Sequence, residues 1–113
     1  MIADTLKTLM AECEDLQALR AQADSDPAVA PWRLGQAYLI RLVTHYWTGR
    51  LVSVTQHEIV ITEAAWIPDT GRYSTCVTSG TPTEVEPVDG RVILGRGAVV
   101  DAVEIATLPR TLK

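Results

Sequence analysis

From Gln36 onward the apolar residues of this chain recur at every second position, and that period constrains the fold more than any other feature. A period of two places successive side chains on opposite faces of an extended strand. Tyr38, Ile40, Leu42, Thr44 and Tyr46 share one face, and Leu39, Arg41, Val43, His45 and Trp47 the other. Thr48-Gly49 interrupts the run, and Arg50 to Thr55 reads as a second strand. Gln56-His57 is a short turn, after which Ile59, Ile61 and Ile67 alternate with polar or small residues through Glu58 to Ile67. Connections this short join antiparallel neighbours. Arg91 to Leu94 and Ala98 to Ile105 supply two further runs, separated by Gly95-Arg96-Gly97. Gly49 inside a strand pattern predicts a sharp bend where a side chain would not fit. The stretch 68–90, rich in Thr, Ser, Pro, Gly and Asp, reads as an insertion with turn signals and one short helical stretch near Tyr73 to Thr78.

The first 24 residues follow a different period. Ile2, Leu6, Leu9, Cys13 and Leu16 recur at alternating spacings of 4 and 3, which predicts an amphipathic helix over 1–24. Asp26-Pro27 ends it, because proline disfavours helical geometry in the residue before it. With Pro31, this makes 25–35 a linker. A helix of this length is marginal alone in water, so its stripe needs a partner. That partner is either its own domain or another subunit, since 4-3 spacing suits both packing and a short coiled coil.

At 113 residues the chain has room for one small domain. Lys and Arg number 10 against 14 Asp and Glu, giving −4, which argues against a polybasic nucleic-acid binder or a membrane-surface protein. No apolar stretch approaches the ~20 residues of a membrane span. Acidic Asp4, Glu12, Glu14 and Asp15 stand where a signal peptide would be basic and then apolar. Cys13 and Cys76 form no CxxC pair, so neither a zinc site nor a disulfide framework is suggested, and an intracellular compartment is expected.

Two segments carry a family resemblance. Thr48-Gly49-Arg50-Leu51-Val52-Ser53-Val54, followed by Ile59-Val60-Ile61-Thr62-Glu63-Ala64, resembles the first motif of the Sm/Sm-like (Lsm, Hfq-type) family. Gly95-Arg96-Gly97 before Ala98-Val99-Val100 is similar to its second motif, an Arg-Gly turn between the last two strands. The resemblance implies a mainly β fold: an N-terminal α-helix followed by a five-stranded antiparallel Sm-like (SH3-type) barrel over 36–113. It also implies a cyclic homo-oligomer whose subunits pair through the last two strands, making Val92, Leu94, Val99, Val100 and Val103 interface candidates. In the family's RNA-binding members the positions matching Arg96 and Gly97 contact RNA; with His57, whose ring offers a surface for a base to stack on, they are the candidate nucleic-acid contacts. Thr55 replaces the family's Asp, Ala98 its Asn, and Glu58 adds negative charge at the same turn. The segment Ala64 to Arg72, with Thr48-Gly49-Arg50, also resembles small bacteriophage and prophage proteins. That likeness implies phage or host proteins as partners, and a place in a bacterial cytoplasm or a virion.

Little in the residues points to an enzyme. His45 and His57 lack a third metal ligand at suitable spacing, and Ser53, Ser74 and Ser79 lie outside any nucleophile-elbow pattern. Cys76 stands alone in a polar segment, and Gly95-Arg96-Gly97 lacks the spacing and following helix of a phosphate loop. No cofactor motif is present. The aromatic residues Tyr38, His45, Tyr46, Trp47, Trp66 and Tyr73, with Arg41, Arg50, Arg72 and Arg96, offer a nucleic-acid surface as one reading. The other places Tyr38, Tyr46 and Trp66 in the core. The expected role is a non-enzymatic, ring-forming structural or assembly component, with single-stranded nucleic-acid binding as the alternative.

Overall fold

The computed structural model describes residues 29–113. The chain divides into two compact units, Met1–Trp32 and Arg33–Lys113. Of the first unit, 29–32 form a turn in which the Trp32 amide donates to the Val29 carbonyl at 2.8 Å. The helix expected over 1–24 lies outside the described residues.

The second unit is built on one six-stranded antiparallel sheet: β1 Ala37–Leu42, β2 Tyr46–Val54, β3 Glu58–Asp69, β4 Glu84–Pro87, β5 Val92–Gly95 and β6 Val99–Glu104. A short helix, α1 Tyr73–Ser79, links β3 to β4, and a 3-10 turn, Arg96–Ala98, links β5 to β6. The order across the sheet is β4-β3-β2-β1-β6, with β5 also on β3. Twelve residues long, β3 has room for two partners on its second edge. Glu58 to Ile61 pair with Val92 to Gly95, and Ala65 to Asp69 with Glu84 to Pro87.

The sheet bends where β2 crosses β3. Thr48 pairs with Ala65 and Arg50 with Thr62, so Gly49 faces two residues, Glu63 and Ala64. This is a β-bulge, which kinks the strand and increases its twist. Glu63 reaches a φ of 48°, the left-handed region that side chains usually avoid. A Cβ on Gly49 would lie 2.8 Å from both Cβ and Cδ1 of Ile61, so the close approach excludes any side chain there. The expected bend at Gly49 therefore has a steric cause.

The core lies on both faces of β1, whose Ala37 to Ile40 are all buried. On one face Ala37 and Leu39 pack with Cys76 of α1 and with Ile105, joined by Tyr46, Val77, Val103 and Leu108. Ala65, Ile67 and Val85 form a second cluster, and Tyr46 packs against this one too. Seven residues are too few for an independent helix, and burial of Cys76 holds α1 in place. The helix ends on Gly80 at φ 66°, whose amide donates to the Cys76 carbonyl.

Three expectations are corrected. The five-stranded closed barrel is replaced by an open sheet of six strands: β5 and β6 sit on opposite flanks, joined by one turn, with no ladder between them. The sixth strand, β4, arises within the expected insertion 68–90, where Val85 buries its side chain against Ile67. Among the described residues the helix is α1, Tyr73–Ser79, at the short helical stretch expected near Tyr73 to Thr78 within the insertion. The break between the first two strands also moves, from Thr48-Gly49 to residues 43–45, where the Leu42 amide donates to the His45 carbonyl at 2.8 Å. Thr48-Gly49 sits inside β2 as the kink.

Candidate functional site

Three places in the second unit carry chemistry beyond packing. The first is the tip of the β2–β3 hairpin. The Thr55 amide donates to the Glu58 carbonyl at 2.9 Å, and Thr55 Oγ1 accepts from the Glu58 amide at 3.1 Å. The 3-10 turn clamps this tip: the Arg96 amide donates to the His57 carbonyl at 2.9 Å, and its guanidinium to the Thr55 carbonyl at 2.8 Å. His57 and Arg96, expected together from the sequence, do meet. Arg96 is half-buried and spends a guanidinium N–H on the neighbouring backbone, while exposed Glu58 adds negative charge beside it. Gly97 is exposed with open space around it, so a side chain there would meet nothing.

The second place is the pair of sheet edges. The outer edge of β4 is covered by the chain's last residue: Val85 and Lys113 exchange amide-to-carbonyl bonds of 3.2 and 3.0 Å. Among the described residues no backbone bond covers the outer edges of β5 and β6. Of the interface candidates, Val100 is 56 % exposed and Val92 and Val99 are half-buried. Leu94 is buried in its own sheet, and half-buried Val103 packs on the Ala37–Leu39–Cys76 cluster. Ile93, at 62 % exposed, is the more prominent apolar residue of that flank and is missing from the expected set. Counting alternation back from buried Leu94 would have found it.

The third place is an aromatic cleft of about 290 Å³ lined by His45, Trp47, Trp66, Glu86, Pro87 and Val88. His45 stands 6.3 Å from each indole, centroid to centroid, with its plane at 65° to Trp47 and 90° to Trp66. Tyr38 is buried as the core reading expected, whereas Trp66 is 38 % exposed. Of the broader aromatic and arginine set, His45, Trp47 and Trp66 meet in this cleft. The Arg41 guanidinium binds Asp101, which holds its pKa above the usual value, and Arg50 binds Glu63 at 2.6 Å.

Cys76 is buried, and desolvation pushes its thiol above the usual value, the reverse of what a nucleophile needs. Among the described residues no three His, Cys, Asp or Glu side chains cluster as metal ligands, and no helix is long and apolar enough to cross a membrane. No protein-family model matches the chain, and no curated protein is significantly similar to it.

Proposed function

We propose that this chain is a non-enzymatic structural or assembly component that joins copies of itself by pairing β5 of one copy with β6 of the next. The observation that carries this reading is the contrast between edges: β4 is sealed by Lys113, while β5 and β6 are uncovered among the described residues. Monomeric proteins blunt exposed edges with Lys, Pro, bulges or short covering segments. Val92-Ile93-Leu94-Gly95 has neither a charge nor a proline, and its Ile93 is exposed. Asp101, the acidic residue in the middle of β6, has its charge matched by Arg41 within the chain. The two edges differ, so the contact is heterologous, and rotation that closes gives a ring. Self-pairing of this kind also fits the absence of net positive charge.

Light scattering tests the reading. Self-pairing gives a mass several times 12.3 kDa at micromolar concentration. Ile93→Lys, which charges the edge without touching the core, should return the chain to the monomer mass with its far-ultraviolet dichroism unchanged. A wild-type chain that scatters as a monomer refutes the proposal.

A second reading, binding of single-stranded nucleic acid, rests on the convergence of His57 and Arg96. Its signature would be affinity falling with salt, by about −0.7 in log affinity per log salt for each phosphate neutralised, and lost in Arg96→Glu. The guanidinium bond to Thr55 and the charge of Glu58 both count against phosphate binding at this tip.

A further inference from the structure

We infer that the cleft between His45, Trp47, Trp66 and Glu86 binds a methylated ammonium group. Strand register builds this site. Trp47 on β2 lies opposite Trp66 on β3, and Trp66 lies opposite Glu86 on β4. Directly opposed residues of antiparallel strands project from the same face with neighbouring Cβ atoms. Indole, indole and carboxylate therefore stand in one row across three strands. His45, from the turn before β2, closes one side against both indoles, and its Nδ1 is tied to Thr44 Oγ1 at 2.8 Å. Pro87 and Val88 complete the wall, anchored by the Val88 amide donating to the Ala64 carbonyl at 2.8 Å.

Three properties of this cleft select its occupant. The imidazole stands at steep angles to both indoles, so the rings make a corner around a compact guest. A nucleobase is instead held by stacking on a ring face. Glu86 forms no ion pair among the described residues, in contrast to Asp101 and Glu63, each held by an arginine. Its carboxylate attracts a cation and repels phosphate. Finally, the lining offers the Glu86 carboxylate and the His45 imidazole as polar groups and otherwise carbon and indole surface. An unmethylated ammonium or a guanidinium would lose water here without replacing those hydrogen bonds. A cation shielded by methyl groups has little hydration to lose, and aromatic faces, tryptophan above all, attract it through their quadrupole.

The test is calorimetric titration of the full chain with choline and with its neutral isostere 3,3-dimethyl-1-butanol. A cation–π and carboxylate site should hold choline about tenfold or more tightly than the uncharged analogue, equivalent to about 1.4 kcal/mol. Trp66→Ala should abolish binding, and Glu86→Gln should weaken it about threefold or more while leaving the thermal transition unchanged, because Glu86 is exposed. Trimethyl-lysine in place of choline distinguishes the sources. Tighter binding of the amino acid assigns the site to a modified side chain, and tighter binding of choline to a small free cation. Equal affinity for choline and the neutral isostere overturns the inference, as does an absence of choline binding at tens of millimolar. Unchanged affinity in Glu86→Gln also overturns it.

Discussion

Gly49→Ala should destabilise the sheet, and the sign of the effect is what makes the experiment informative. Glycine to alanine at an unconstrained position stabilises by about 0.4–1 kcal/mol, because the unfolded chain loses freedom. Here the added methyl would sit 2.8 Å from Ile61 Cβ and 2.8 Å from its Cδ1. The Cδ1 contact can be relieved by a rotamer change within the packed core. The Cβ contact cannot, since Cβ moves only with the β3 backbone. Overpacking of this kind costs about 1–3 kcal/mol, which outweighs the unfolded-state gain. We therefore expect a net loss of about 1 kcal/mol, or roughly 4–8 °C in Tm for a unit of this size. Urea denaturation followed by tryptophan fluorescence measures it. Ile61→Val, which removes Cδ1 alone, should cost about 0.5–1.5 kcal/mol by itself. Combined with Gly49→Ala it should cost less than the sum, by about 0.5–1 kcal/mol. Rescue stays partial because the Cβ contact remains. A stabilised Gly49→Ala, or strict additivity with Ile61→Val, would refute the claim that close strand approach fixes this glycine.

Three other perturbations follow from single side chains. Thr48 is fully buried and its hydroxyl has no hydrogen-bond partner among the described residues, so Thr48→Val should raise stability by about 1 kcal/mol, read as a higher urea midpoint at unchanged slope. Glu63 holds a φ of 48°, and a β-branched residue tolerates that region poorly. Glu63→Val should cost about 1–2 kcal/mol, whereas Glu63→Gly should be nearly neutral, losing only an exposed ion pair with Arg50. Cys76 has a thiol raised by burial above its ordinary 9.0, so the folded state keeps a proton that the unfolded state releases. Stability from this group is complete below pH 9 and falls as pH rises toward the folded value, by at most about 1.4 kcal/mol per pH unit. Cys76→Ala should be less stable at neutral pH yet lose less between pH 8 and 10; an identical alkaline slope in both proteins would contradict this.

The alternation from Gln36 reported most of the sheet because half-buried strands write their faces into the sequence at period two. It failed where no such signal exists. The turn at 43–45 holds no Gly, Pro, Asn or Asp, and its Val43, 75 % exposed, reads like one more strand residue. Gly49 carried the opposite ambiguity: it marks a kink inside a strand, yet a lone glycine looks like a turn. Strand β4 was hidden because Glu-Val-Glu-Pro offers one apolar residue and a proline, and its pairing depends on β3 continuing past Pro68 at a register shift. The barrel expectation came from short motifs. Those motifs do lie in β2, in β3 and in the turn before β6, but closure depends on pairing between β5 and β6, which local sequence does not encode. The aromatic cleft was legible only as a list of residues. Its row of Trp47, Trp66 and Glu86 depends on the register of three strands, and one shifted residue would have scattered it to both faces.

Amide hydrogen exchange measured across a range of protein concentrations tests the self-pairing account most directly. If β5 and β6 complete each other between copies, outward amides within Val92–Gly95 and Val99–Glu104 gain protection together as concentration rises. The outward amide of Val85, sealed by Lys113, keeps a constant rate. Exchange on both open edges that is fast and independent of concentration would contradict the account.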